Sequence, residues 1–366
     1  MTNKGTSVLV SGASGYIGAH CVLKLLKEGY KVRGTVRSLQ NEKKVEPLRE
    51  LCPEAKSSLE LVEADLLKED TWPPFCCFRA VKGCQYVLHV ASPFPLEEPT
   101  DQNLLIKPAV DGTLNVLKAC AKENSVRRVV LTSSVASLIG GFKGDKTNKH
   151  FDEKDWTDVD APGVPAYEKS KTLAERAAWD FVQNITEPDN KFELTAILPG
   201  LVLGPLLHDN DCSSAVVIKR FLLREMPMIP KLSMGIVDVR DVADAHLKAM
   251  TNPNAAGERF VCCNESVWFK DICSFLSEEF NSQGYKPPTT EAPYPLLWLA
   301  GRFDKMVRMI LPNVGVPLNF DNKKIRDVLN LNFIPVKESV IDMAYSLIER
   351  GIVKKTEQYR GPPKKD

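Results

Sequence analysis

Residues 7–29, SVLVSGASGYIGAHCVLKLLKEG, decide the fold class of this chain. The first four are apolar or small and are typical of a buried strand, whereas apolar residues recur at helical spacing over residues 16–28. Gly12, Gly15 and Gly18 follow the strand at a spacing of three. A strand, a glycine-rich turn and a helix in this order form a phosphate-binding loop, because the first N–H groups of the helix are free to bind a pyrophosphate.

The three glycines have separate expected roles. Gly12 permits the tight turn, Gly15 lets the backbone approach the pyrophosphate, and Gly18 allows the helix to pack closely on the sheet. A turn with a purely structural role is the alternative. The position of the loop, directly after a strand and directly before a helix, favours dinucleotide binding.

Short apolar segments continue to alternate with amphipathic ones along the first two hundred residues. Strands are predicted at residues 31–36, 59–62, 86–91, 128–132 and 192–198, and helices at 69–82, 104–122 and around 164–175. These strands are apolar on both faces, as in a parallel sheet that helices cover on both sides. The alternation predicts an α/β fold, a Rossmann-type doubly wound parallel sheet with a smaller, mostly helical C-terminal substrate-binding part.

The residues after the second predicted strand indicate which dinucleotide binds. NAD, with its free ribose 2′-OH, usually meets an Asp or Glu at this position. Here the position is occupied by Arg37, with Lys44 nearby, and these side chains suit the 2′-phosphate of NADP. NADP is therefore predicted, with a solvated basic surface as the alternative. Asp65 and Leu66, after the third strand, are placed to reach the adenine, although Asp65 would also suit a helix cap.

The domain boundaries follow the point where the strand–helix alternation becomes irregular. Residues 1–200 are expected to form an NADP-binding Rossmann domain, to which a strand and a helix near residues 233–262 return. Residues 201–232 and 263–350 are expected to form the substrate-binding part, followed by a flexible tail at residues 351–366.

The overall composition excludes several functional classes. The chain has 366 residues with 48 Lys and Arg against 47 Asp and Glu, so it lacks the basic footprint of a nucleic-acid binder. No apolar run is long enough to cross a bilayer. The ten cysteines form no CxxC motif and no cluster with histidine, which predicts reduced, mostly buried thiols, no metal site and a cytoplasmic location.

Candidate catalytic residues follow the fifth predicted strand and begin the next helix. Ser133 and Ser134 come directly after the strand, at the end that faces the ligand crevice of a doubly wound sheet. Tyr167 and Lys171 lie four residues apart, which places them on one face of a helix, about 6 Å apart along its axis. That spacing occurs by chance in many amphipathic helices, so it gains meaning only together with the serines and the glycine loop.

In combination, the motifs SGASGYIG, EADL, HVASPFP, RRVVLTSS, YEKSKTLAE and ILPGLVLGP resemble the extended short-chain dehydrogenase/reductase family, in particular its dihydroflavonol-4-reductase-like and cinnamoyl-CoA reductase-like branch. The resemblance covers roughly residues 6–265 and implies NADPH-dependent reduction of an aldehyde or ketone carbonyl to an alcohol. It implies that Tyr167 is the general acid, that Lys171 lowers the pKa of its phenol and holds the nicotinamide ribose, and that Ser134 polarises the carbonyl. Ser133 is the alternative if the alignment is shifted by one residue.

The resemblance also implies further contacts to the cofactor. They come from the start of the first helix, the end of the fourth strand and the segment after the sixth, namely Tyr16, Ile17, Val90, Ala91, Ser92, Pro199, Leu201, Val202 and Ser214. Of the histidines, His89 is expected to point away from the ligand and His246 to be structural, whereas His208 lies in the substrate region.

Two segments depart from the family pattern. Residues 71–84, TWPPFCCFRAVKGC, are a few residues longer than is usual and contain the pair Cys76 and Cys77, so a surface bulge is expected there. A predicted helix at residues 296–311 carries one apolar stripe, formed by Leu296, Leu299, Phe303, Met306 and Ile310. We expect a lid or a core helix over the substrate pocket, with docking on a membrane surface as the alternative.

Three other functions share parts of this pattern. A nucleotide-sugar epimerase or dehydratase and a hydroxysteroid-type dehydrogenase share the fold, and a non-catalytic NADP-sensing regulator would share the phosphate loop. Arg37 and Lys44 argue against the first, which usually holds NAD, and the serine–tyrosine–lysine set argues against a regulator. The Phe, Leu, Met and Pro residues of the expected pocket predict an apolar or aromatic carbonyl substrate, and a homodimer is the general default.

Overall fold

A seven-stranded parallel sheet forms the centre of the protein, for which the computed structural model describes residue 3 and residues 5–66, 80–92, 99–186, 191–209 and 213–363. Its strands are β1 (Ser7–Ser11), β2 (Lys31–Val36), β3 (Leu59–Glu63), β4 (Tyr86–His89), β5 (Arg128–Thr132), β7 (Glu193–Pro199) and β10 (Arg259–Cys262). They lie in the order β10–β7–β5–β4–β1–β2–β3, each parallel to its neighbours. The predicted doubly wound sheet is confirmed.

Helices cover both faces of the sheet because its strands are apolar on both sides. Val8 and Val10 of β1 pack into one core, whereas Leu9 between them packs into the other. One face carries α1 (Tyr16–Lys27), α2 (Glu42–Arg49), α7 (Val239–Thr251) and α11 (Lys323–Leu329), and the other carries α3 (Asn103–Ala121) and α5 (Ala166–Gln183). β10 and α7 therefore return to this sheet from the C-terminal half.

The position of the ligand crevice follows from the strand order. β1 and β4 are neighbours in the sheet although they are far apart in sequence. The chain leaves β1 toward the face covered by α1 and, later, reaches α3 on the opposite face after β4. In doubly wound sheets a crevice opens at such a switch point, beyond the carboxyl ends of the two strands.

A smaller three-stranded sheet is formed by later parts of the chain. β8 (Leu201–Leu203) pairs in parallel with β9 (Ser233–Asp238), which pairs antiparallel with β11 (Glu265–Trp268). A separate core around it includes residues of α6 (Ser213–Leu222), α8 (Phe269–Phe280) and α12 (Val336–Glu349). The remaining elements are α4 (Ala136–Ile139), α9 (Tyr294–Ala300), α10 (Lys305–Ile310) and the paired short strands β6 (His150–Phe151) and β12 (Asn319–Phe320).

α2 has no counterpart among the predicted helices. Its sequence, EKKVEPLR, contains Pro47 and only two buried side chains, Val45 and Leu48. Helical periodicity is hard to recognise in a segment so short and polar. The helix is stabilised by packing of these two apolar side chains against the sheet, and not by intrinsic helix propensity.

The apolar stripe of residues 296–311 does not lie on one continuous helix. α9 and α10 are separate, and the guanidinium of Arg308 donates to the carbonyl oxygen of Gly301 at 2.8 Å, just after α9 ends. Three members of the stripe are exposed by 48, 52 and 88%, namely Leu296, Leu299 and Phe303. The prediction of a core helix is therefore wrong, because these side chains face solvent.

The segment after α12 is packed through residue 360, in contrast to the predicted flexible tail at residues 351–366. Val353 is completely buried, and the hydroxyl of Thr356 donates to the carbonyl oxygen of Gln283. The N–H of Arg360 donates to the amide oxygen of the same Gln283 at 3.2 Å. Buried contacts with the end of α8 thus hold this stretch against the C-terminal core.

Residues 67–79 lie outside the described residues, and with them most of the predicted bulge and the pair Cys76 and Cys77. Residues 93–98 lie outside them as well. Within the described ranges, no helix combines the length and the apolar character that crossing a membrane requires.

Candidate active site

Four segments of the predicted site meet at the carboxyl edge of the central sheet. The glycine loop follows β1, residues 90–92 follow β4, Ser133 and Ser134 follow β5, and Pro199 ends β7. These strands are parallel, so their carboxyl ends lie at one edge. The fold therefore gathers groups that are separated by more than a hundred residues in sequence.

The glycine loop has the geometry expected of a phosphate-binding turn. Gly12 has φ +66°, a left-handed conformation that side chains rarely permit, and its N–H donates to Thr35 Oγ1 at 3.0 Å. A Cβ at Gly18 would lie 2.2 Å from the carbonyl oxygen of Gly12, whereas a Cβ at Gly15 would meet only that oxygen, at 3.2 Å. Glycine at these positions leaves a cradle at the N-terminus of α1 that fits the pyrophosphate of a dinucleotide.

Gly18→Ala is expected to lower the free energy of unfolding by about 1–3 kcal/mol, the usual cost of overpacking. The added Cβ must displace backbone, because its contact at 2.2 Å is with a carbonyl oxygen of Gly12. Gly15→Ala is the matched control, since its contact at 3.2 Å is milder. Urea unfolding of the two variants checks this expectation, and equal stabilities would contradict the packing role of Gly18.

The basic residues predicted to bind a 2′-phosphate lie at the carboxyl end of β2. Arg37 directly follows β2 and is exposed, and Lys44 is half-buried on α2. Both side chains carry a positive charge at the end of the sheet where the ligand crevice opens. After β3, Asp65 is half-buried, and Leu66 packs on α3, where a Cβ at Gly112 would lie 3.2 Å from the Leu66 Cβ.

Ser11 organises the segment that follows β4, a role that the sequence patterns did not predict. Its hydroxyl lies 2.8 Å from His89 Nδ1 and accepts the N–H of Ala91 at 3.0 Å. Burial, with a smaller contribution from the charge of Lys171, lowers the pKa of His89 to about 3. A neutral imidazole thus holds the end of β4 against β1. Val90 and Ala91 are half-buried beyond it, and Ser92 is exposed.

The structure brings Ser134, Tyr167 and Lys171 together. The hydroxyls of Ser134 and Tyr167 are hydrogen-bonded, and Lys171 Nζ lies 6.0 Å from the centre of the Tyr167 ring. Burial raises the pKa of Tyr167 to about 12, and the hydrogen bond with Ser134 acts in the opposite direction. Burial dominates the pKa of this phenol and Lys171 is not among the groups that shift it, so the expected lowering by Lys171 is not found.

The two serines after β5 face different partners. Ser133 Oγ donates to Glu175 Oε2 at 2.5 Å, inside the protein. Ser134 Oγ instead accepts the N–H of Ala136 at 3.1 Å and reaches Tyr167. This geometry favours Ser134 over Ser133 as the group beside the tyrosine.

A buried ion pair behind the serines was missed by the sequence analysis. Glu175, one turn after Lys171 on α5, is paired with Arg259 of β10, whose Nε lies 2.6 Å from Glu175 Oε1. The side chains are 0 and 9% exposed. The partners are 84 residues apart in sequence, so no local pattern relates them.

The remaining predicted cofactor contacts lie at the end of β7, on β8, and on the helices α1 and α6. The carbonyl oxygen of Pro199 accepts the N–H of Val135 at 3.0 Å, which places the end of β7 beside Ser134. Val202 is buried and Leu201 half-buried on β8. Of the others, Tyr16 donates its hydroxyl to the carbonyl oxygen of Gly204 at 2.8 Å, Ile17 is half-buried on α1, and Ser214 is half-buried on α6.

Two further histidines, His208 and His246, are buried in contacts within the protein. His208 was expected in the substrate region, but it is buried and its Nε2 lies 3.0 Å from the carbonyl oxygen of Ser14 in the glycine loop. His246 is buried between Thr132 Oγ1 and the carbonyl oxygen of Val242, each at 2.7 Å, in agreement with the structural role predicted for it. Among the described residues, no group of three or more His, Cys, Asp or Glu side chains is placed to hold a metal ion.

Comparison with known proteins places this site in a family. Residues 8–263 match the NAD dependent epimerase/dehydratase family. Tetraketide alpha-pyrone reductase 1 of Arabidopsis thaliana is 36% identical over 350 residues, which cover 94% of this chain and 96% of that protein. Cinnamoyl-CoA reductase CAD2 of Medicago truncatula is 36% identical over 353 residues, which cover 95% of this chain and 98% of that protein.

A solved structure is similar over nearly the same share of the chain. Yeast methylglyoxal/isovaleraldehyde reductase Gre2, complexed with NADPH, superposes with a TM-score of 0.79 and 32% identity, covering 95% of this chain and all of that one. The resemblance inferred from the motifs is thereby confirmed. The chain belongs to the NAD-dependent epimerase/dehydratase family of extended short-chain dehydrogenases/reductases, in the branch that includes dihydroflavonol 4-reductase and cinnamoyl-CoA reductase.

Proposed function

We propose that this chain is an NADPH-dependent oxidoreductase that reduces an aldehyde or ketone carbonyl to an alcohol. The observation that carries the proposal is the hydrogen bond between Ser134 and Tyr167 with Lys171 beside them, at the edge of the sheet where the glycine loop lies. The relatives named above are reductases, and the yeast structure holds NADPH.

Tyr167 is the proton donor in this proposal. With a pKa of about 12 the phenol keeps its proton at neutral pH and can deliver it to a carbonyl oxygen. Ser134 donates a hydrogen bond to the same oxygen and stabilises the negative charge that develops there. NADPH, when bound, supplies the hydride.

Lys171 supports the proton transfer through its charge. Burial lowers the pKa of Lys171 to about 8, and the carboxylate of Glu175 acts in the opposite direction. At neutral pH the side chain is therefore mostly an ammonium, which stabilises the phenolate left after Tyr167 has given up its proton. By family resemblance it also holds the nicotinamide ribose.

The remaining cofactor contacts are proposed from the motifs and their position in the fold. Gly12, Gly15 and Gly18 would hold the pyrophosphate, and Arg37 and Lys44 would bind the 2′-phosphate. Asp65 and Leu66 would lie by the adenine. Pro199, Leu201 and Val202 would pack by the nicotinamide. Further cofactor contacts would come from the first turn of α1, the segment after β4 and α6, namely Tyr16, Ile17, Val90, Ala91, Ser92 and Ser214.

Arg37→Ser is expected to raise the Kd for NADPH about 10- to 100-fold, the value of one charge-assisted hydrogen bond, and to leave the Kd for NADH unchanged. Arg37 is exposed, so the change should not affect stability. Isothermal titration with both cofactors measures the effect. Arg127→Ser, an exposed arginine just before β5 begins, is the control. Equal losses for NADPH and NADH would show that Arg37 does not read the 2′-phosphate.

The substrate is proposed to be a small carbonyl compound of apolar or aromatic character. Residues 201–232 and 263–350 would form the part that binds it, and residues 1–200 the cofactor domain. We also propose a homodimer as the default assembly and a cytoplasmic location. The location is supported by the cysteines that are described, whose thiols are buried, with pKa values raised by burial.

The proposed reaction is tested by following NADPH and NADH consumption with a panel of aliphatic and aromatic aldehydes and ketones. Turnover that strongly prefers NADPH is the expected result. A preference for NADH would contradict the assignment of Arg37 and favour a sugar-nucleotide enzyme of the same fold. Tight NADPH binding without turnover on any member of the panel would instead favour a regulator.

A further inference from the structure

Glu175 is a buried acidic residue whose carboxylate has several polar contacts. It lies on α5, is 1% exposed, and five side-chain donor groups lie within 3.3 Å of its two carboxylate oxygens. A carboxylate is buried only at a large desolvation cost unless its oxygens are paired in this way. Retaining so many partners around one charge indicates a specific task.

Glu175 contacts residues on both sides of Ser134, the serine next to Tyr167. Ser133 Oγ donates to Glu175 Oε2 at 2.5 Å, and Ser137 Oγ lies 3.0 Å from the same oxygen. Ser137 Oγ also lies 2.8 Å from the carbonyl oxygen of Ser134. The carboxylate thus contacts both ends of the turn that carries Ser134.

Arg259 fixes the position of the carboxylate. Its Nε and Nη2 lie 2.6 and 3.2 Å from the two oxygens of Glu175. Its Nη1 donates to the carbonyl oxygens of Glu153 at 2.7 Å and Asp155 at 3.0 Å, and its guanidinium stacks 3.6 Å above the ring of Trp156. A guanidinium with this many partners can adopt few other positions. The carboxylate that it binds is therefore fixed as well.

We propose that Glu175 is a positioning residue: held by Arg259, it fixes the turn of residues 133–137 so that the Ser134 hydroxyl faces Tyr167, and it places a negative charge one helical turn from Lys171. This inference deepens the proposed function and rests on it for the roles of Ser134 and Tyr167. Glu175 touches neither substrate nor cofactor in this account and acts through its neighbours.

The charge of Glu175 has a consequence of its own. Lys171 is faced by Glu175 and Tyr167 from its own helix and by His89, neutral at pH 7, from β4. Glu175 is the group that opposes the lowering of the Lys171 pKa by burial. Removing its charge should make Lys171 lose its proton at a lower pH, and the alkaline limb of activity should move in the same direction.

The test compares Glu175→Gln and Ser133→Ala with wild type. Both variants are expected to lower kcat roughly 10- to 100-fold through misplacement of Ser134, with the Kd for NADPH within about twofold of wild type. Competitive acetylation of Lys171 against pH, read by mass spectrometry, should give a lower midpoint in Glu175→Gln and an unchanged one in Ser133→Ala. Asp180→Asn, an exposed acid on the same helix, should change neither quantity.

Each result decides the proposal. A kcat near that of wild type in Ser133→Ala, whose ion pair is intact and whose folding is therefore secure, would overturn it, as would an unmoved Lys171 midpoint in folded Glu175→Gln. If wild type reduces no carbonyl, the proposed function has failed. The pH midpoint of Lys171 acetylation then remains as the test of the role of Glu175. That readout requires no turnover.

Discussion

Tyr167→Phe is expected to lower kcat for carbonyl reduction by about 10²–10⁴-fold, the range found when a general acid is removed. The substitution keeps the ring and removes only the hydroxyl, which is hydrogen-bonded to Ser134. Cofactor binding rests on the glycine loop and on the basic residues after β2, so the Kd for NADPH should change little. Steady-state kinetics and cofactor titration on the same preparation measure the two quantities.

Tyr86→Phe is the control for this substitution. Tyr86 is half-buried at the start of β4, at the opposite end of the strand from the site, so loss of its hydroxyl should leave kcat and stability nearly unchanged. If Tyr167→Phe retains more than about a tenth of the wild-type kcat, another group must donate the proton, since general acids contribute more than that.

Arg259→Met is expected to lower the free energy of unfolding by about 3–5 kcal/mol, the loss seen when one partner of a buried ion pair is removed. The carboxylate of Glu175 would remain buried with its serine partners but without its counter-ion. Two backbone carbonyl oxygens, of Glu153 and Asp155, would lose their donor as well. Denaturant unfolding measures the change.

A double variant separates the unpaired charge from the lost packing. Arg259→Met combined with Glu175→Gln should recover much of the stability, because replacing both charges is often nearly neutral whereas breaking the pair is not. Lys337→Met removes an exposed partner of Glu278 and should have almost no effect. A double variant as unstable as Arg259→Met alone would show that packing of the guanidinium, and not its charge, is what matters.

Local patterns in the sequence were enough to predict the frame of the protein. Glycines 12, 15 and 18 follow a short apolar strand and precede a helix, and this order alone places the phosphate loop. Continuous apolar strands predicted the parallel sheet because both of its faces are covered. Since the carboxyl ends of parallel strands share one edge, the meeting of Ser134 with the helix of Tyr167 also followed from topology.

Features that depend on distant contacts were not predictable in this way. Arg259 meets Glu175 only through the return of β10 to the sheet, and Ser11 meets His89 across two strands. The pKa of Tyr167 depends on how deeply the phenol is buried, which spacing does not reveal. The regular stripe of residues 296–311 suggested one helix, but the helix ends after α9 and leaves Leu296, Leu299 and Phe303 exposed.

Transfer of hydride from cofactor to substrate carbon is the most direct measurement of the central claim. The protein is incubated with NADPH in which both hydrogens on the nicotinamide C4 are replaced by deuterium, and with the best carbonyl substrate of the panel, and the alcohol is analysed by mass spectrometry. We predict one deuterium on the carbinol carbon of each product molecule and one NADPH oxidised for each alcohol formed. An unlabelled product, or product formed without net oxidation of the cofactor as in an epimerase, would contradict the account.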